Sequence, residues 1–206
     1  MNTMNNNNAI NAKINTKTRI FYTAVQLFSE RGYTNVSVRD IAAEVNIKVS
    51  SLYNHYPSKA DILSSLYKYY TAKFNEKKPD IDLLLKQAGS EPVHEVFKKL
   101  DFHFDPEDAE TTDRIMAIAC TEFRRDEISA RFVHDNIFNL SKIYIIPLLE
   151  RLIELKKIEP MDIKSFSVLT AMVSFGAAAC NYSRFHVTIN EWGSAFDLLF
   201  SLVKPV

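Results

Sequence analysis

Residues 37–59 read SVRDIAAEVNIKVSSLYNHYPSK, and the rest of the architecture can be worked outward from them. Val38, Ile41, Ala42 and Val45 recur at helical spacing, and Ser37 with Asp40 three residues on makes a capping box that starts the helix. Asn46 follows the last turn and tolerates the left-handed conformation nearly as well as glycine. A second helix is expected from about Val49 to Tyr56, with Leu52 and Tyr56 inward, before Pro57-Ser58 stops it. Ser58 and Asp61 form a second capping box, opening a further helix, the fourth in chain order, through Ile62, Leu63, Leu66 and Tyr70 to about Lys77. A bracing helix, a tight turn and a helix that presents polar groups make a helix-turn-helix arrangement. An ordinary helical hairpin shares this apolar pattern. The outer face of the second helix argues against it, because Ser50, Ser51, Asn54 and His55 are short hydrogen-bonding groups rather than solvating Glu and Lys.

On the N-terminal side, Ile20, Ala24, Leu27 and Phe28 share one helical face between Lys17 and Arg31, widened by Phe21 and Val25. Gly32 stands where a left-handed C-cap belongs. Met1–Asn15 holds seven Asn and little that could build a core, so a disordered leader over 1–15 is expected. A helix-turn-helix domain over 16–63 and a larger helical domain over 64–206 are expected. In that larger part the pattern predicts helices over Asp80–Ala88, Glu91–Phe104, Asp108–Arg125 and Asp126–Lys157, the last disturbed by Pro147. An apolar stretch over Phe166–Tyr182 and a final helix over Asn190–Val203 complete it. Four glycines and 47% hydrophobic residues in 206 favour an all-α fold over a sandwich or barrel.

The net charge of zero hides an asymmetry. Residues 1–60 carry seven Lys/Arg (Lys13, Lys17, Arg19, Arg31, Arg39, Lys48, Lys59) against Glu30, Asp40 and Glu44, a net of +4, which leaves −4 for 61–206. A basic quarter on an acidic body suggests a polyanion partner for that quarter alone. Cys120 and Cys180 lie far apart in apolar runs and read as core residues rather than a disulfide pair. No signal peptide is present and no apolar run reaches the roughly 18 residues of a membrane span, so a cytoplasmic protein without membrane contact is expected. No Gly-rich phosphate loop, nucleophile elbow or HExxH occurs, and His55, His94, His103, His134 and His186 never pair at helical metal spacing. A non-enzyme without metal or cofactor is the expectation.

Residues 17–63, with the FSERGY ending of the first helix, the SVRDIA opening of the second and SLYNHYPSK, resemble the DNA-binding region of TetR-type transcriptional regulators. EFRRDEI and LIELKKIEP look like that family's helix junctions in the remaining chain. The resemblance implies a homodimer whose last two long helices, here about Asp162–His186 and Asn190–Val203, form a four-helix bundle. Gly176-Ala177-Ala178-Ala179 suits close helix approach, although burial within one subunit explains it equally well. Two recognition helices about 34–36 Å apart would then read a palindromic operator in double-stranded DNA.

Phosphate contact is implied for Ser37, Tyr53 and His55, and expected for Lys59 at the start of the fourth helix. Tyr53 has an alternative reading as a packing residue, and His55 as a partner in a local hydrogen bond. Arg39 can reach phosphate or a guanine edge, while Val49, Ser50, Ser51 and Asn54 are best placed for base edges. Lys48 occupies the family's usual Ser/Thr cap position, at a cost of about 1 kcal/mol, and its charge can serve a phosphate contact.

Phe102, His103, Met116, Cys120, Phe123, Tyr144, Met172 and Phe175 are candidates to line a cavity for a small, lipophilic effector whose binding shifts the fourth helix and releases DNA. For any one aromatic, core packing competes with this reading. A ligand-independent DNA-organising protein with the same head, or a thiol sensor acting through Cys120 or Cys180, are the alternative functions.

Overall fold

The computed structural model describes residues 15–100, 104–180 and 189–206. Those residues form eleven α-helices and two π-helical turns, with no β-strand among them. The helices are α1 Thr16–Arg31, α2 Val38–Val45, α3 Val49–Tyr53, α4 Lys59–Lys77, α5 Ile81–Gln87, α6 Val93–Lys98, α7 Pro106–Glu122, α8 Glu127–Val133, α9 Ile146–Glu154, α10 Ile163–Cys180 and α11 Ile189–Phe200. The chain divides into two compact units, Met1–Tyr69 and Tyr70–Val206, and the division falls inside α4.

In the first unit, α1 buries Ile20, Phe21, Ala24, Val25, Leu27 and Phe28. The large side chains among these each stabilise by about 1.5–3 kcal/mol on leaving water. Asn15, assigned to the leader by composition, caps α1 instead: its side chain accepts the Thr18 N–H at 2.9 Å. The remaining leader, 1–14, lies outside the described residues. Gly32 ends α1 with φ 83, a backbone angle open to glycine at no steric cost.

In the second unit, the core is assembled from Leu148, Leu149 and Leu152 of α9, Leu84 and Ala88 near α5, Val96 of α6, Phe166 of α10 and Leu199 of α11. Tyr70 packs its ring edge-on against Phe104 and Phe132, at centroid distances of 5.0 and 5.1 Å. Burial pushes the Tyr70 phenol above its ordinary value, with the negative charge of Asp113 adding to it. Lys73 bridges Asp108 at 2.9 Å and Lys77 bridges Asp105 at 2.8 Å, joining the end of α4 to the start of α7. The C-terminal segment returns to the α9–α10 connection, where Glu159 N–H meets the Lys204 carbonyl at 2.9 Å.

The disturbance expected at Pro147 takes the form of a π-helical turn over Ser141–Ile145. Proline lacks an N–H and its ring crowds the carbonyl four residues back, so the preceding turn widens and the Ile146 N–H reaches Ser141 O. A second π-turn spans His134–Phe138. There the Asn136 side chain donates to the Phe132 carbonyl at 2.9 Å, competing for the acceptor that an α-turn would use. The helix expected over Glu91–Phe104 is only Val93–Lys98, and 101–103 lie outside the described residues.

One sequence expectation needs correction. α10 is long and apolar enough to cross a membrane by length and composition, although only 22% of it is buried. Ser, Thr and Gly residues interrupt its apolar run in sequence, but once coiled its faces are largely apolar.

Candidate nucleic-acid interface

The local chemistry of residues 37–59 sets the geometry of the interface. The Asp40 N–H donates to Ser37 Oγ at 3.2 Å, and the Ser37 N–H returns to the Asp40 carboxylate at 2.7 Å, closing the capping box. The Ser37 hydroxyl donates to the same carboxylate at 2.6 Å. These hydrogen bonds, the hydroxyl's first and the backbone's second, hold the Asp40 carboxyl below its ordinary value. Asn46 ends α2 in the left-handed region, φ 58 and ψ 53. Ile41, Ala42, Val45 and Leu52 are fully buried, so α2 and α3 are pressed against the core on both sides of a three-residue turn. After α3, the Asp61 N–H donates to Ser58 Oγ at 3.1 Å and the Ser58 hydroxyl to the Asp61 carboxylate at 2.7 Å.

Against that frame, the residues proposed for base reading share one side of α3. Ser50, Tyr53 and Asn54 are exposed, and Val49 and Ser51 half-buried. Tyr53 is 48% exposed, which removes the reading in which it packs against α1. The residue buried at that end of the hairpin is Tyr56, 5% exposed, with the Lys17 ammonium 5.4 Å above its ring. α3 is shorter than expected, ending at Tyr53, so Asn54 follows the helix as its C-cap and His55, half-buried, lies in the turn beyond. Arg39 and Lys48 are exposed, and Lys48 supplies no side-chain cap to α3. Ser37 keeps both its hydroxyl and its N–H inside the capping box.

Lys59 departs most from expectation. Its ammonium donates to the carbonyls of Tyr33 at 2.7 Å and Val36 at 2.8 Å and lies 4.1 Å from the centroid of the Tyr33 ring. Arg19, absent from the sequence-derived set, donates to the carbonyl of Val45. Its partner is 26 residues away, and no local pattern in the sequence signals such a contact.

The effector candidates separate. Met116, Cys120 and Phe123 recur along α7, which packs on α10, and Phe123 meets Phe175 edge-on at 5.3 Å. Phe138 stacks on Phe175 at 5.9 Å. Met172 is 55% exposed on the outside of α10, and Tyr144 uses its hydroxyl to reach the Pro79 carbonyl at 3.1 Å. Phe102 and His103 lie outside the described residues. Burial pushes the Cys120 thiol up to about 12.

A short helix with an exposed polar face, braced by a capped helix across a left-handed turn, defines a helix-turn-helix protein, the class that seats such a helix in the major groove of DNA. Residues 20–66 match the pattern described as bacterial regulatory proteins, tetR family. Among curated relatives, the biofilm operon icaADBC HTH-type negative transcriptional regulator IcaR of Staphylococcus epidermidis is 48% identical over 46 residues, 22% of this chain and 25% of the relative. The uncharacterized HTH-type transcriptional regulator YerO of Bacillus subtilis is 31% identical over 83 residues, 40% of this chain and 28% of the relative. The matched segment thus spans little more than a quarter of either relative's length. Among solved structures, the ketosteroid transcriptional regulator KstR2 of Mycobacterium tuberculosis superposes with a TM-score of 0.64 at 18% identity, covering 92% of this chain and 95% of that one. A transcriptional regulator from Saccharomonospora viridis in complex with choline gives 0.63 at 17% identity, covering 92% and 97%. The likeness to the tetR family of bacterial regulatory proteins thus extends over residues 20–66 of the chain.

Proposed function

We propose that this protein is a dimeric transcriptional repressor that reads a palindromic operator through α3 and is released by a small lipophilic effector held in the second unit. The observation that carries the DNA-binding part is the exposed face of Ser50, Tyr53 and Asn54 with Val49 and Ser51 beside it, on a helix whose register is set by the caps at Ser37 and Asn46. Val49 offers a thymine methyl an apolar contact, Ser50 and Ser51 hydrogen-bond base edges, and Asn54 pairs with adenine. Arg39 and Lys48, with Ser37, Tyr53 and His55, serve the phosphates on either side. Repression is supported by the likeness to IcaR, a negative transcriptional regulator.

Dimerisation is supported by apolar side chains left open on the last two helices. Val168, Leu169 and Met172 on α10 are 51%, 50% and 55% exposed, and Leu198 on α11 is 70% exposed. Such a surface is costly in water and is relieved by a second copy. The same need explains why α10 has the composition of a membrane span. The effector is supported by the aromatic contacts of Phe123, Phe138 and Phe175 beside Met116 and Cys120. The thiol-sensor reading is disfavoured at Cys120, because a buried thiol with a raised pKa is a poor nucleophile.

The test is selection of genomic fragments by the purified full-length protein, followed by sequencing. An enriched two-fold-symmetric sequence is expected. Recovery of fragments with no shared palindrome overturns the operator-reading proposal in favour of sequence-independent DNA organisation.

A further inference from the structure

We infer that Lys59 and Arg19 are positioning residues of the DNA-reading head, which clamp the two ends of α2 and so fix where α3 stands. The inference rests on the DNA-binding reading above, moves Lys59 from phosphate contact to internal work and gives Arg19 a role of the same kind.

The residues between α1 and α2 supply carbonyls outside any helix, and that of Tyr33 also accepts the Val36 N–H at 3.3 Å. The segment between α1 and α2 turns sharply, and the carbonyls of Tyr33 and Val36 both accept from the Lys59 ammonium, at 2.7 and 2.8 Å. Val36 is 1% exposed, and Ser37, the residue that caps α2, follows it directly. A lysine suits this position because its compact head has three rotatable donors and can satisfy two carbonyls that do not lie in one plane. The Tyr33 ring, 4.1 Å away, holds the cation from a further side.

At the other end of α2, Val45 is the last helical residue, so its carbonyl is among those to which no later amide of the helix donates. The Arg19 guanidinium donates to it, and a cation at a helix C-terminus also meets the negative end of the helix dipole. One clamp therefore comes from α1 and one from α4, and α2 lies between them. α3 follows α2 after only Asn46, Ile47 and Lys48, so a small rotation of α2 is passed to Ser50, Ser51 and Asn54. Two N–H directions of Lys59 point at protein carbonyls, not outward.

The two roles for Lys59 separate by salt dependence, because each phosphate neutralised contributes about 0.9 to the slope of log K against log salt. Lys59→Met, Arg19→Met and Lys59→Arg are compared with wild type in the full-length protein, on the selected duplex and on an unrelated duplex of equal length. Lys59→Met and Arg19→Met are each expected to lose about tenfold or more on the selected duplex. The salt slope and the affinity for unrelated DNA should stay at wild-type values, and Lys59→Arg should recover part of the loss. A slope lower by about 0.9 in Lys59→Met, with both duplexes weakened alike, makes Lys59 a phosphate contact and overturns the inference. Unchanged affinity for the selected duplex at wild-type slope, with only a lower melting temperature, also overturns it, since the clamp would then be structural alone.

Amide hydrogen exchange reads the clamp without DNA. Lys59→Met should accelerate exchange at Ile41, whose N–H meets Ser37 O in the first turn of α2, by about tenfold or more. Unaltered exchange there overturns the clamp even if no operator is ever selected. If the Lys59 variant does not fold, Arg19→Met puts the same question from the opposite end of α2.

Discussion

Ser37 and Asp40 show how much one pair of side chains can determine. Their reciprocal hydrogen bonds were legible from a three-residue spacing, because a capping box depends only on groups within one turn. Ser37→Ala is expected to lower the stability of the head by about 1 kcal/mol, read from the denaturant midpoint. The pH dependence has a definite sign. The folded-state pKa of Asp40 lies below its ordinary value of 3.8, so the ionised form is favoured by folding. Its contribution is complete above that ordinary value and is lost as the pH falls through the lower folded value. Thermal melts of wild type and Asp40→Asn from neutral pH downwards should show the difference between them shrinking once the pH drops below about 4. A constant difference would exclude the ionised carboxylate as the stabilising form. Asn46 was legible for the same local reason, whereas Lys59 was not. Its position before a helix signalled a phosphate contact, and only folding brings the carbonyls of Tyr33 and Val36 to it.

At the level of elements, α3 is the most exposed to a trade between stability and binding. It has five residues, one of the shortest helices described, and its N-cap Lys48 makes no side-chain hydrogen bond to it. Lys48→Thr restores a capping oxygen and should stabilise the head by about 1 kcal/mol. The same change should reduce the salt slope of DNA binding by about 0.9 if Lys48 sits on a phosphate. A gain in stability with the slope untouched would place Lys48 away from the DNA backbone. Elsewhere, the helical pattern changed where a single side chain redirected the backbone hydrogen bonds. The Ser141–Ile145 π-turn follows from Pro147 and could be foreseen as a disturbance, though not as a π-turn. The turn at His134–Phe138 depends on an Asn136 side chain choosing a carbonyl, and periodicity carries no trace of that choice.

For the whole molecule, charge asymmetry and apolar surface point to different partners. In the proposed reading the basic head meets a polyanion, and the open apolar side chains of α10 and α11 meet a second copy. Replacing Leu169 and Met172 together by Glu should convert a dimer to a monomer in sedimentation and weaken binding to a palindromic duplex while leaving single-site contacts intact. A double variant that still sediments as the wild type would move the subunit interface to another surface.

What the sequence by itself determined is the helix-turn-helix: its caps, its left-handed turn, its buried residues and its outward polar face. All of these depend on groups within a few residues of one another, so composition and spacing carry them. Tertiary structure decided what each long-range side chain does. It turned Lys59 and Arg19 inward to backbone carbonyls, placed Tyr144 against Pro79 and rotated Met172 outward on α10. The physical reason is that a charge or an aromatic ring in a sequence specifies only what it can bind, and folding specifies which partner comes within reach.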